Sequence, residues 1–360
     1  MPNWEIAGRR LYQQQLSQPR FAQPEQVVAW LGAVQAQEYA PTLWSIGQRM
    51  TNAQEADIEA AVRDGRILRT HLLRPTWHFV ARQDIRWLLQ ISAPRVHALN
   101  ATMVRQVELD EAILRRSSDL IAQALQGGQQ RTREELGQVL HAAGIVAQGV
   151  RLVYIMMFAE LEGVICSGAR QGKQFTYALL AERAPDAKIL TRDEALAELA
   201  KRYFMSHGPA TLKDFTWWSS LTLADARAGV ALLGTQLASE TVDGQTFWFD
   251  PAAQLTTLAP PVQPQVHLLP IYDEFISYAD RSHIFADQYK EMYDPQYNLS
   301  FPHLIVIDGQ IVGTWRRTLQ KKQVVVKYRP FRPLTSAEDT AVRTQAQRFG
   351  DFLKLTVVIE

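Results

Sequence analysis

Apolar residues recur at helical spacing over residues 6–16, 24–35, 41–50 and 53–64, with Pro41 at a helix start and Gly65 as a stop. Residues 67–73 and 76–80 then read as two short strands around Arg74-Pro75. Small helices followed by a β-hairpin is the element order of a winged helix, a relative of the helix-turn-helix. The layout returns twice. Residues 82–107 form a long helical region interrupted at Pro94, and residues 118–126 a helix ended by Gly127-Gly128. Thr132, with Glu135 three residues on, is a capping-box pattern that starts the next helix, and Gly144 ends it. The strongly apolar stretch 150–162 makes a further helix. Residues 164–167 and 174–179 follow as a hairpin whose tip carries Arg170 and Lys173. A third round passes through helices at 192–206, 211–219 and 223–233 to strands at 237–242 and 245–249 about Asp243-Gly244.

Residues 250–265 are rich in Pro and small residues and read as a linker. Beyond them, strands are expected at 303–307, 310–316, 323–328 and 353–359, with a turn at Asp308-Gly309 and a helix at 336–350. The expected fold class is α+β. Three tandem winged-helix units occupy 1–81, 82–190 and 191–250, and a linker with a β-rich, barrel-like domain occupies 251–360.

Composition narrows the class without changing this picture. With 360 residues and 47% hydrophobic content, the chain can bury the cores of two to four domains. Its longest apolar runs, such as 152–159, are too short to span a bilayer. The first ten residues lack the apolar segment of a signal peptide, and Cys166 is alone and cannot form an intrachain disulfide. A soluble cytoplasmic protein is expected. The net charge of +1 decides nothing, but its distribution does. Residues 66–105 hold seven Arg against one acid, Asp84, and residues 309–333 hold seven basic residues and no acid. Arg outnumbers Lys 29 to 9. Such stretches are either solvated faces or localised anion-binding surfaces, and Arg suits bidentate phosphate contacts.

Four constellations are candidates for chemistry. Gln35 and Gln37 lie two apart, a spacing that does not share a helix face; at a helix end or in a turn, both amides would reach one cavity. Taken alone they are ordinary polar residues. In the stretch 69–79, Arg69, His71, Arg74 and His78 alternate with apolar and aromatic side chains. They would either touch DNA phosphates from a wing or, for a histidine, pack beneath it. A metal is disfavoured, since His71 and His78 are seven apart with no Cys nearby. Asp273 and Glu274, adjacent in the stretch 269–275, make a poor acid–base pair on a strand and are expected to hold an Arg at an interface. Trp315 beside Arg316 and Arg317 fits either stacking and backbone contact or a buried Trp with exposed Arg. The sequence has no Gly-rich phosphate loop, zinc spacing or Gly-x-Ser-x-Gly, and neither cofactor nor metal is expected.

Together these pieces resemble the C-shaped tandem winged-helix DNA glycosylases of the AlkZ and YcaQ type. The resemblance rests on Val34-Gln35-Ala36-Gln37, the stretch 69–79, Ser206-His207-Gly208-Pro209-Ala210-Thr211 with Asp214-Phe215, the stretch 269–275, and Gly313-Thr314-Trp315-Arg316-Arg317. It covers nearly the whole chain. It implies a monomer with a DNA-lined channel that hydrolyses the N-glycosidic bond of N7-alkylated purines, interstrand crosslinks included, at the nucleoid. The family's Gln-aliphatic-Gln catalytic motif maps onto Gln35 and Gln37. Asp stands at the second position in the YcaQ type, so Gln37 implies the AlkZ-like branch. Arg69, His71, Arg74, His78, Arg170, Lys173, Arg316 and Arg317 are the candidate DNA contacts, and double-stranded DNA the expected partner. The alternative is a non-catalytic winged-helix DNA-binding protein or transcriptional regulator.

Overall fold

Helices α1 (Asn3–Gln13), α2 (Pro24–Leu31), α3 (Tyr39–Gln48) and α4 (Glu55–Arg63) precede a hairpin of β2 (Ile67–Leu72) and β3 (Thr76–Ala81) in the computed structural model, which describes residues 3–252, 263–285, 289 and 303–360. Within the expected linker, 253–262 lie outside the described residues. Helix α2 stops short of the predicted residue 35. Gly32 leaves the helix with φ 83°, a region that favours glycine, and the chain runs on extended as β1 (Val34–Gln35). That strand pairs antiparallel with β3 and places Gln35 opposite His78, in a sheet ordered β1-β3-β2.

The second round begins with α5 (Ile85–Gln106), which carries Pro94. Helix α6 (Glu111–Leu125) starts earlier than predicted because Asp110 caps it, accepting the Ile113 N–H at 2.8 Å. The Thr132–Glu135 capping box forms as read. Each residue's side chain accepts the other's backbone N–H, at 3.2 and 2.7 Å, and opens α7 (Arg133–Ala142). After α8 (Gly149–Leu161), β5 (Ile165–Ser167) and β6 (Thr176–Leu179) form the hairpin. The short β4 (Arg131–Thr132), which no pattern announced, pairs with β6. A one-turn helix α9 (Leu180–Arg183) follows. The third round holds α10 (Arg192–His207), α11 (Leu212–Ser219), α12 (Leu223–Leu233) and the hairpin β7 (Ala238–Val242) and β8 (Gln245–Phe249).

The C-terminal sheet has the order β13-β12-β11-β10-β9, from β9 (Val266–Leu269), β10 (His303–Ile307), β11 (Gln310–Leu319), β12 (Gln323–Pro330) and β13 (Thr356–Ile359). Only β12 with β13 is parallel, the crossover being α13 (Ser336–Leu353). The sheet is a curled half-barrel with two edges, β13 and β9. No helix among the described residues is long and apolar enough to cross a membrane.

Three cores bear on the site. One packs β2 and β3 against α5 and α10–α12, through Trp87, Tyr203, Phe204, Phe215 and Trp218. A second runs from α2–α4 into the C-terminal sheet and α13: Trp44 lies 5.0 Å from Phe349 and 5.1 Å from Phe352, and Trp315 packs on Phe349 at 5.3 Å. The first and last parts of the chain therefore share one hydrophobic interior. The third joins α6–α8 to β5 and β6.

Candidate active site

The spacing that disqualified Gln35 and Gln37 on a helix suits an extended chain. Successive side chains of a strand point to opposite faces, so residues two apart share a face. Val34 and Ala36 are buried, Gln35 is half-buried and Gln37 is exposed. Ala36 continues the pairing past β1, its N–H donating to the Trp77 carbonyl at 2.7 Å. Both glutamine carbonyls already accept a bond. Arg74 Nη2 donates to Gln35 Oε1 at 2.8 Å, and the Trp77 N–H to Gln37 Oε1 at 3.4 Å. An amide oxygen has two lone pairs and can accept a second bond, and its NH2 offers two donors.

Gln35 is held from every side. Its carbonyl accepts from the Thr42 hydroxyl at 3.0 Å, a proton shared with Glu38 O at 2.7 Å. Its N–H donates to Glu274 Oε1 at 2.9 Å. Glu274 is buried, and its other oxygen accepts from Trp218 Nε1 at 2.9 Å and contacts His207 Nε2 at 3.3 Å. Burial pushes its pKa up, but the bonds from His207, the Gln35 N–H and Trp218 outweigh burial and hold the carboxyl at about 2. His207 stacks on Tyr203 at 4.7 Å and meets Ser206 Oγ at 2.8 Å. Beside Glu274, Asp273 receives both terminal nitrogens of the buried Arg49 at 2.8 and 2.9 Å and the Ser45 hydroxyl at 2.6 Å. The expectation that one of this acidic pair holds an Arg is met by Asp273; Glu274 instead faces Gln35.

Gln37 opens onto a different space. With Arg69, Trp77, Thr132, Arg133, Lys173 and Phe175, it borders a cleft of about 410 Å³ between the first two rounds of the chain. The N-terminal end of α7 stands on the far wall.

The structure divides the sequence's basic candidates. Arg69 is buried, its guanidinium 4.3 Å from the Trp77 ring and 4.4 Å from Phe175, donating twice to Ala36 O. Burial lowers its pKa to about 10. His71 is buried against Trp77 and bonded to Glu160. His78 is buried too, Nδ1 on the Thr76 carbonyl at 3.0 Å; burial and then Arg74 depress its pKa to about 3. Arg69 lies inside and not at a wing surface, and both histidines take the packed alternative, because the hairpin is enclosed on both faces. Arg74 turns inward to Gln35. Arg170 pairs with Glu59 at 2.9 Å and lies 4.6 Å from the Tyr39 ring. Arg317 is half-buried over Phe349, with Trp315 buried beneath the sheet. Lys173 and Arg316 are exposed.

Sequence reasoning missed Trp217. It is 39% exposed, and Arg74 and Arg281 lie 4.9 and 5.7 Å from its ring. Adjacent residues on a helix cannot both face the core, and Trp218 takes the buried place, so the Trp217-Trp218 pair was the available signal.

Residues 28–352 match the family described as DNA glycosylase AlkZ-like. No curated protein matches the chain. Among solved structures, the Streptomyces sahachiroi DNA glycosylase AlkZ matches with a TM-score of 0.78 over the full length of both chains, at 22% identity, a likeness of fold.

Proposed function

The chain belongs to the AlkZ-like DNA glycosylase family, and from that premise we propose that it hydrolyses the N-glycosidic bond of N7-alkylated purines in duplex DNA, interstrand crosslinks included, using Gln35 and Gln37. The observation that carries this reading is the seating of Gln35 and Gln37 side by side along β3, the first amide held by Arg74 and the second bordering an open cleft.

The chemistry asks little of a base. Alkylation at N7 leaves the purine positively charged, so it departs without protonation. The bond from C1′ to N9 breaks, its electron pair returns to the purine and neutralises it, and a water oxygen bonds to C1′. The water's proton passes to solvent. The transition state has oxocarbenium character, which favours partial negative charge and a fixed water nearby. The open lone pairs of the two amide oxygens are suited to both tasks. A crosslinked base is tied to the other strand and cannot flip into a tight pocket, so an open cleft suits it. We read the three helix–hairpin rounds as tandem winged helices at 1–81, 82–190 and 191–250, gripping DNA as a monomer at the nucleoid, with Lys173 and Arg316 among the phosphate contacts.

The test is release of N7-methylguanine from duplex DNA, scored as alkali-labile breaks. Gln35→Ala and Gln37→Ala should each lower the single-turnover rate constant by about 100-fold or more while DNA binding stays within a few-fold. Wild-type release by both variants removes the pair from the mechanism.

A further inference from the structure

Strand β1 is an edge of its sheet, and the Gln35 N–H points away from β3, where no further strand among the described residues receives it. A buried strand edge must be satisfied by something, and a backbone carbonyl would suffice. Here the partner is a buried carboxylate from far along the chain, Glu274 Oε1 at 2.9 Å. Burying a charge is costly unless it is well bonded, and Trp218 and His207 supply the remaining partners. Arg74, whose pKa burial lowers and the Glu274 charge partly restores, donates to the Gln35 side-chain carbonyl at 2.8 Å. Both ends of Gln35 are thus held, its N–H by Glu274 and its amide oxygen by Arg74.

The local backbone agrees. Leu73 and Tyr272, non-glycine residues with φ of 56° and 62°, immediately precede Arg74 and Asp273-Glu274. Two left-handed residues at the approaches to one glutamine mark a place where the surroundings impose conformation.

We infer that Glu274 is a positioning residue for Gln35, fixing the strand through the backbone N–H and the amide orientation through Arg74. This inference rests on the reading of Gln35 as a catalytic residue. It assigns Arg74 to the amide and not to a DNA phosphate. It also gives the Glu274 charge a task that a neutral residue of the same shape would perform only in part, since a Gln there keeps an acceptor and loses the attraction for Arg74.

The experiment measures single-turnover release of N7-methylguanine by Glu274→Gln, Arg74→Met and Gln35→Ala, recording the rate constant, the half-saturating enzyme concentration and the thermal midpoint. In parallel, spectra of 15N-glutamine-labelled protein follow the Gln35 backbone and side-chain signals, identified by their absence in Gln35→Ala. Both positioning variants should lower the rate constant by about 10-fold or more with half-saturation within two-fold, and both should shift the Gln35 signals. Wild-type rate constants in both, with Gln35→Ala inactive, overturn the inference and leave the reading of Gln35 intact. A lowered thermal midpoint with unshifted Gln35 signals assigns Glu274 to the core alone and overturns it as well. Wild-type activity of Gln35→Ala removes the reading on which it rests.

Discussion

The hairpins β2–β3 and β7–β8 close two rounds of the same element layout and behave oppositely. Every residue of β2 is buried, and so are the last four of β3, although the pair carries Arg69, Thr70, His71 and His78. In β7 no residue is fully buried, and of β8 only Phe247 and Phe249 are, with Trp248 partly buried against the core and Gln245 and Thr246 exposed. The difference lies in what covers each. The first hairpin has β1 along its edge and is packed by α2, α5, α8 and β5, so its polar groups need partners inside. Arg69 finds Ala36 O, and His71 finds Glu160. The last hairpin has one covered face, and its polar residues need nothing beyond water. The same supersecondary unit thus serves once as a scaffold beneath the candidate glutamines and once as a free surface.

Replacement of Arg69 tests that contrast hardest. Arg69→Ala removes two aromatic contacts and both bonds to the residue between the glutamines, and leaves Glu160 with less compensation in the interior. It should cost about 3 kcal/mol in a denaturant titration. Glu240→Ala, on the exposed face of β7, should stay within about 0.5 kcal/mol. Equal costs would erase the distinction between scaffold and surface.

Acid should separate the hairpins next. His78 has its pKa depressed to about 3 by burial, against about 6.5 in an unfolded chain. Between those values the unfolded state binds the extra proton, so the contribution of a neutral His78 is complete above pH 6.5 and is lost as pH falls toward 3. At pH 5 the loss is about 2 kcal/mol. His78→Asn should flatten the decline of stability between pH 6.5 and 5 by about that amount. His267 and His303, also held near 3 by burial, keep their own share of the slope. The β7–β8 hairpin has no histidine. A variant whose acid profile overlays that of the wild type would mean that His78 is hydrated.

The tip of the last hairpin comes third. Asp243 has φ 48° and Gly244 φ 75°, the left-handed pair that a two-residue hairpin turn requires. Asp243→Val should cost about 1 kcal/mol through backbone strain alone, leaving glycosylase activity untouched.

How much of this the sequence disclosed depends on whether the governing contact was local. Capping boxes, Gly stops and the Asp243-Gly244 turn are decided within a few residues, and Thr132 with Glu135 forms as read. What escaped was settled across the chain. Gln35 was assigned to the end of a helix because Ala33 and Val34 extend the apolar period, but Gly32 ends α2 and pairing with β3 draws the next residues into a strand. Strands β4 and β9 were missed for the same reason, as each is short and defined by its partner. Arg69 was read as surface from its charge, and for His71 and His78 the choice between wing and interior stayed open, because no local pattern reveals that a second layer covers a hairpin. The Asp273-Glu274 pair was correctly read as structural for Asp273, while the bond from Glu274 to Gln35 spans 239 positions.

The smallest effect belongs to the hairpin between these two extremes, β5–β6, whose tip is half enclosed. Its two basic residues should part company. Lys173 is exposed at the rim of the cleft that Gln37 faces, so Lys173→Ala should lower the slope of log binding constant against log salt by about 0.9, one phosphate's worth, with stability unchanged. Arg170 is tied to Glu59 and lies against the Tyr39 ring, whose hydroxyl pKa burial and Glu59 raise to about 12. Arg170→Ala should therefore lower the thermal midpoint by a few degrees and leave the salt slope alone. If both variants shift the slope equally, the Arg170–Glu59 pair opens when DNA arrives, and the boundary between scaffold and contact surface runs through this hairpin's own tip.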